Sequence, residues 1–265
     1  MKPQSIDAVT VACIAIVAYL VAAVVHEGLG HGVAAALLGA RDIRLSGAVL
    51  RLDSQSVTPT ASRIICIAGP LTGLFVGLLL ALCHRYTKSN RAEFRFFLWL
   101  TAYVCLFANA GYFMALSLVP FGDIHGFVQG FDSPFAWRLG LTVAGIVLSI
   151  VALLAAGRTL DEFLGETERR RRAAKLMLIS YFAGSIPLIL STLLGKDGSY
   201  IALVSAIPAT LGGTIFLPYT ILCVGKARKT TNPVSLTPQR SLPWYAAGVI
   251  ALVVYGVILG PGVPR

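Results

Sequence analysis

The stretch VVHEGLGHGVAAALLG, residues 24–39, places two histidines and a glutamate inside a run of otherwise apolar and small residues. A catalytic zinc takes three imidazole or carboxylate ligands, and a nearby carboxylate accepts a proton from water. In the motif H-E-x-x-H, the two histidines lie at i and i+4 on one helix face. Here His26 and Glu27 are adjacent, but His31 follows at i+5. The motif therefore predicts a metal site with one extra residue to accommodate.

The i+5 spacing leaves two structural alternatives. In a regular α-helix, five residues leave the two imidazoles about 140° apart. A π-type turn inserts one residue and would bring both onto nearly one face, and three glycines make this turn permissive: Gly28, Gly30 and Gly32. In the other alternative, His31 faces away and His125 supplies the second imidazole. Spacing favours the π-type turn, and both alternatives stay open.

A further ligand must come from another part of the chain. The segment SLVPFGDIHGF, residues 117–127, contains Asp123 and His125. Counting the predicted spans puts loops 26–63 and 120–137 on the same side of the membrane, so Asp123 can reach His26. Asn109, in FANAGYF, is a candidate for either an interhelical hydrogen bond or a contact with substrate backbone.

Composition defines the elements that must position these residues. The chain has 265 residues, 56% of them hydrophobic and 13% charged, far from the charge content of about a quarter in soluble domains. It is predicted to be an all-α polytopic membrane protein with about seven transmembrane helices, six to eight. The apolar runs lie near 8–25, 64–83, 97–119, 139–157, 176–194, 199–224 and 244–260. The sixth run is predicted to be broken or re-entrant because it contains prolines and paired glycines: Pro208, Gly212, Gly213 and Pro218.

Three local features complete this prediction. The alternating stretch IRLSGAVLRL, residues 43–52, predicts a short β-hairpin whose edge could pair with an extended peptide.

The first apolar run is longer than a signal-peptide core, so we expect it to be retained. The cysteines lie within or at the edges of spans without C-x-x-C pairing, which predicts no disulfide framework: Cys13, Cys66, Cys83, Cys105 and Cys223.

The net charge of +10 reflects membrane topology rather than nucleic-acid binding. Of the 22 Lys and Arg residues, 15 lie at Lys2 and in loops 84–96, 158–175 and 225–242, and 7 lie on the other side. The positive-inside rule then predicts a cytoplasmic N-terminus and a metal site nearer the outer face. The run ERRRRAAK, residues 168–175, is predicted to be an interfacial anchor at the lipid bilayer. We expect a multi-pass protein of the plasma (inner) membrane. The sequence does not indicate whether it is a monomer or an oligomer.

At these residues the chain resembles the site-2 protease family of intramembrane zinc metalloproteases. The resemblance rests on HEGLGHGVAAALLGA, on AGPLTG at residues 68–73, and on the aspartate motif after the third span, and it covers about residues 8–130. It implies that His26, His31 and Asp123 bind Zn²⁺ and that Glu27 is the general base for cutting transmembrane segments of membrane-protein substrates.

The sequence differs from the family pattern in three places. His31 comes one residue late, Gly73 stands where the family usually has Asn, and VPFGDIHG lacks the usual Leu-Asp-Gly. The family also commonly keeps its site nearer the cytoplasm, opposite to the prediction from the charges.

The expected organisation is a single membrane domain with two parts. Residues 1–137 form a metalloprotease-like core, and residues 138–265 add transmembrane helices of unknown role. The expected function is intramembrane hydrolysis of peptide bonds. The alternatives are a non-catalytic metal-binding scaffold and, third, a metal-ion transporter, which the near absence of ionisable residues from the later spans disfavours.

Overall fold

A computed structural model describes residues 5–47, 49–195, 198–225 and 236–264. They form an all-α polytopic protein with seven helices long and apolar enough to cross a membrane, as predicted. The spans are α1 (Ala8–Leu37), α2 (Pro59–Tyr86), α3 (Ala92–Leu118), α5 (Pro134–Phe163), α6 (Arg169–Leu193), α7 (Gly198–Cys223) and α8 (Leu242–Leu259), with a short helix α4 (Gly122–Val128) before α5. Most spans extend beyond the predicted apolar runs, because a helix continues to satisfy its backbone groups outside the apolar zone.

Two spans are irregular in ways that bear on function. Helix α1 is α-helical over Ala8–Ala23, becomes a π-helix over Val24–Gly32, and returns to α-helix over Val33–Leu37. Helix α7 contains two π-helical segments, Ala202–Ala206 and Pro208–Gly212. Pro208 lacks an N–H and so interrupts regular α-helical hydrogen bonding.

Helix α7 nevertheless crosses the bundle. Its first residue, Gly198, lies against the backbone of Leu193 at the end of α6, whereas Cys223 lies against Gly157 near the far end of α5. The predicted broken or re-entrant run is therefore one irregular helix that spans the bundle, with two π-helical segments where the break was predicted.

Helix α3 lies at the centre of the bundle, with 83% of its membrane-spanning window buried by protein. Its aromatic residues join a core cluster that draws on helices from both parts of the chain: Tyr19, Trp99, Phe107, Phe163, Tyr181 and Leu217 are among its members. Glycines allow the closest approaches. A Cβ at Gly145 of α5 would lie 2.7 Å from the carbonyl oxygen of Ala110 in α3.

A small antiparallel sheet covers one end of the bundle. Strands β1 (Arg41–Leu45) and β2 (Leu50–Asp53) form the predicted hairpin, and β3 (Val263–Pro264) pairs with the other side of β1. The order is β2-β1-β3. Among the described residues, no strand pairs with the outer edge of β2, which is therefore the edge strand that the alternating sequence predicted.

The opposite end of the bundle, here called the basic end, gathers the loops rich in Lys and Arg. Lys175 donates a hydrogen bond to the carbonyl of Ile6 at 2.7 Å, and the backbone N–H of Gln239 donates to Glu93 at 2.8 Å. The described parts of loops 84–96, 158–175 and 225–242 therefore share one side, as predicted. The predictions for Lys2, Lys196, Arg265 and the basic residues of 226–235 lie outside the described residues.

Candidate metal centre

Three side-chain atoms from two distant segments converge beside the sheet end of α1. The Nε2 atoms of His26 and His31 lie 3.2 Å apart, and each lies 3.3 Å from Oδ2 of Asp123. A tetrahedron with metal–ligand distances of about 2.0–2.1 Å has edges of about 3.3–3.4 Å. The triangle is therefore the size of one face of a tetrahedral metal site, and a metal held there would keep a fourth position for water or substrate.

The π-helix in α1 brings the two histidines together. It covers Val24–Gly32 and contains both His26 and His31, which confirms the predicted π-type turn. The rings meet nearly edge to face, with centroids 4.8 Å apart. A regular α-helix would have separated the two rings. The π-helix accommodates the extra residue between His26 and His31 and so keeps both on one face.

The motif AGPLTG of α2 makes space for this turn. A Cβ at Gly69 would lie 2.2 Å from Nε2 of His31, and a Cβ at Gly30 would lie 2.5 Å from the Cα of Gly69. Gly30 is required because the π-helix and α2 are in backbone contact there, and Gly69 is required because a Cβ would overlap the His31 imidazole. Sequence reasoning used Gly69 only as part of a family motif and missed that it lies directly against the His31 imidazole.

Hydrogen bonds to the other ring nitrogens decide which tautomers the histidines adopt. The Nδ1 atom of His26 lies 2.7 Å from Oδ1 of Asn109, and that of His31 lies 2.6 Å from the carbonyl oxygen of Ile65. Both partners are acceptors, so each imidazole donates from Nδ1, and in the neutral imidazole the lone pair is then on Nε2. Two lone pairs and a carboxylate oxygen then converge on one point, where a cation is the natural complement.

Asn109 is oriented by a hydrogen bond within α3 and by the space that the absent side chain of Gly73 leaves in α2. Its amide nitrogen donates to the carbonyl of Cys105 at 2.7 Å, which turns Oδ1 toward His26. A Cβ at Gly73 would lie 2.0 Å from that amide nitrogen, so the side chain of Asn109 fills the space that a side chain at 73 would need. Asn109 also lines the cavity described below, and its predicted contact with substrate stays a prediction.

Asp123 is held in place by the short helix α4. Gly122 has φ +80°, a conformation that favours glycine, and α4 is anchored by the buried side chains of Ile124 and Val128. Burial opposes ionisation of Asp123, but the adjacent imidazoles of His31 and His26, when protonated, outweigh it through their charge and their hydrogen bonds and hold the pKa of the carboxyl below its usual range. The carboxylate is thus in the form that binds metal ions.

Glu27 lies beside the triangle without belonging to it. It is 9% exposed, and its carboxylate accepts a hydrogen bond from the backbone N–H of Leu50 in β2. The hairpin therefore fixes the position of the candidate general base. His125, the alternative ligand, points elsewhere: its ring nitrogens lie 2.9 Å from Gln129 and 2.5 Å from Arg138. This geometry favours the ligand set His26, His31 and Asp123.

A cavity that is partly open to solvent adjoins the triangle on the side of His26 and Glu27, and the empty space within and in front of it is about 570 Å³. Its walls come from α1, α3, α6, α7 and the β1–β2 turn, so residues from both predicted parts of the chain contribute. Tyr112 of α3 lies on this wall, with its ring 5.5 Å from that of His26. Sequence reasoning identified neither Tyr112 nor any wall residue of α7.

Comparison of the chain with protein-family models, with curated proteins and with solved structures found no match.

Proposed function

We propose that this protein is an intramembrane zinc metalloprotease, a divergent member of the site-2 protease family. The observation that carries the proposal is the triangle of His26, His31 and Asp123, whose edges of 3.2–3.3 Å match those of a tetrahedral zinc site. The HEGLGHG and AGPLTG motifs lie against each other in the fold, which supports the family assignment.

Each residue has a defined task in this proposal. His26, His31 and Asp123 hold the metal, and the partners of Nδ1 keep both imidazoles in the ligating tautomer. Zinc supplies Lewis acidity, which polarises the scissile carbonyl and lowers the pKa of water toward neutrality. Glu27 accepts the proton of the attacking water and returns it to the leaving amine.

The substrate in this proposal is a segment of another membrane protein. A helical substrate hides its carbonyls in hydrogen bonds, so it must be extended before hydrolysis. The outer edge of β2 offers backbone groups for pairing with an extended chain, and the same strand positions Glu27. We assign the protein to the plasma (inner) membrane on the basis of its spans and its charge distribution.

The proposal is tested by metal analysis and catalysis in one set of purified full-length variants. Wild type and His125→Ala should each hold about one zinc per chain, and His26→Ala should lose it. Glu27→Gln should keep the zinc, because the ligands are untouched and the amide is nearly isosteric. Its cleavage of a membrane-embedded substrate should fall by about 10²–10⁴-fold, the usual contribution of a general base.

Two results would contradict the proposal. A wild-type protein that takes up no zinc would remove the metal site itself. A Glu27→Gln variant that binds zinc and complements a deletion strain as fully as wild type would leave a metal-binding scaffold in place of an enzyme.

A further inference from the structure

The cavity beside His26 and Glu27 has a construction that indicates what it binds. Its wall includes five alanine side chains from three helices: Ala22 and Ala23 of α1, Ala108 of α3, and Ala206 and Ala209 of α7. Helix α7 approaches closely because its Gly213 lies against α3, where a Cβ would come within 3.2 Å of the Cα of Ala108. The empty volume therefore arises from small side chains rather than from helices set far apart.

The polar groups of the wall are already hydrogen-bonded within the protein. Tyr19 donates to Thr214 at 2.9 Å, because the single hydroxyl hydrogen of Thr214 is donated to the carbonyl of Thr210. Thr210 donates to the carbonyl of Ala206 at 2.5 Å, and Tyr112 is hydrogen-bonded to Ser205. A guest in this cavity consequently meets apolar surface and satisfied hydroxyls, which suits an apolar group.

The position of the cavity identifies the source of that apolar group. His26 and Glu27 form part of the wall, so a guest lies beside one candidate ligand and the candidate general base. A side chain next to the bond being cut is attached to the atoms that must lie at the metal. A lipid chain would gain the same burial but would place no reacting group there.

We propose that this cavity is a specificity pocket, which binds one large apolar side chain of the substrate, such as Leu or Phe, beside the scissile bond. The inference rests on the proposed function and extends it to the choice of cleavage site. It also gives α7, in the part of the chain without an assigned role, a direct task in substrate recognition.

The test uses zinc-loaded full-length protein in detergent and three peptide hydroxamates. A hydroxamate binds zinc, and the three compounds differ only in the side chain beside it: Ala, Leu or Phe. The wild type should bind the Leu and Phe compounds at least about tenfold more tightly than the Ala compound, since each buried methylene is worth roughly fourfold in affinity. Calorimetric titration measures the three affinities without any need for a cleavable substrate.

Variants locate the preference in the cavity. Ala209→Phe should fill the pocket and abolish the preference while the zinc content stays unchanged. Leu203→Phe is the matched control on the same helix, because Leu203 is 68% exposed on the outer surface, and it should keep the preference. Leu188→Ala enlarges the cavity from the α6 side and should favour the Phe compound over the Leu compound.

Three outcomes would overturn the inference in distinguishable ways. Equal affinities in the wild type would exclude a specificity pocket and leave the metal centre standing. Equal affinities together with a co-purified phospholipid that Ala209→Phe loses would assign the cavity to lipid. A wild-type protein that binds no zinc would remove the proposed function and this pocket together.

Discussion

The amide of Asn109 determines how His26 can act. It accepts from Nδ1 at 2.7 Å and leaves the lone pair of Nε2 directed at His31 and Asp123. A metal ligand whose other nitrogen lacks such a partner can rotate or change tautomer, and loss of the partner typically costs 10–100-fold in metal affinity. Asn109 is therefore a positioning residue for the candidate centre.

Replacing Asn109 tests this role. Asn109→Leu removes the acceptor at similar volume, so the zinc affinity should fall by about 10–100-fold. Asn109→Asp keeps an acceptor oxygen and should retain most of the affinity. Thr101→Ala is the control, because Thr101 is buried in the same helix and donates its hydroxyl to the carbonyl of Phe97, away from the candidate centre. Competition with a chromogenic chelator measures all four proteins.

The gap at Gly73 offers a companion experiment. Gly73→Asn alone should displace the Asn109 side chain, since even the added Cβ would lie 2.0 Å from its amide nitrogen, and should weaken zinc binding. Combined with Asn109→Ala, it puts an amide back into the same space and should recover part of the affinity. A wild-type affinity in Asn109→Leu would show that His26 needs no amide partner.

At the level of elements, the π-helix of α1 and helix α2 meet backbone to backbone at the site. Gly30 meets the backbone of Gly69, and backbone cannot move aside as a flexible side chain can. Gly28, in the same π-helix, faces only side-chain atoms at 3.7 Å. The two glycines thus form a natural pair for testing the contact.

Gly30→Ala should destabilise the protein by about 1–3 kcal/mol, the usual cost of overpacking, and should lower its zinc content. Gly28→Ala should keep both near wild type. Thermal unfolding in detergent, followed by tryptophan fluorescence, and zinc analysis of the same samples give the comparison. Full zinc content and unchanged unfolding in Gly30→Ala would mean that α1 and α2 are not in backbone contact.

Elements with a local signal could be predicted from the sequence. The seven spans follow from hydropathy, the hairpin follows from alternation over residues 43–52, and the π-type turn follows from the i+5 spacing of His26 and His31. The convergence of Asp123 on the histidines was expected from span counting and is seen in the coordinates.

The rest depends on how helices pack, which no local pattern records. Nothing in the sequence of α7 indicates that Ala206 and Ala209 line the cavity rather than face lipid. The link between Gly73 and Asn109 has a signal in the sequence: Gly73 stands where the family pattern has an Asn, and the next span contains Asn109. Only the coordinates show that the two positions share one space.

For the whole molecule, the two ends differ in charge and in the groups that they carry. The basic end gathers the loops rich in Lys and Arg, and the sheet end carries the candidate metal centre. The positive-inside rule assigns the basic end to the cytoplasm and the centre to the outer half of the membrane. The family resemblance favours the reverse, so orientation needs a direct measurement.

Single cysteines can report the orientation in a background without the five native cysteines. Lys88→Cys and Glu166→Cys lie at the basic end, and Asp132→Cys lies in the exposed connection after α4. An impermeant maleimide should label Asp132→Cys in intact cells, and should label the other two only after permeabilisation. The opposite pattern would invert the assignment and bring the protein back to the usual arrangement of the family.

The central position of α3 has a consequence for biosynthesis. Its mean hydropathy of 1.5 is the lowest of the seven spans, and 83% of its apolar 18-residue segment is buried inside the protein. Such a helix gains little from lipid alone and depends on neighbours, including α5, which is made after it. Asn109 lies in α3, and Asp123 lies in α4 directly after it. Both residues therefore reach their final positions only when α3 has packed against the later helices. Metal uptake would then be among the last events of assembly, and a chain that has bound zinc would be one that has finished folding.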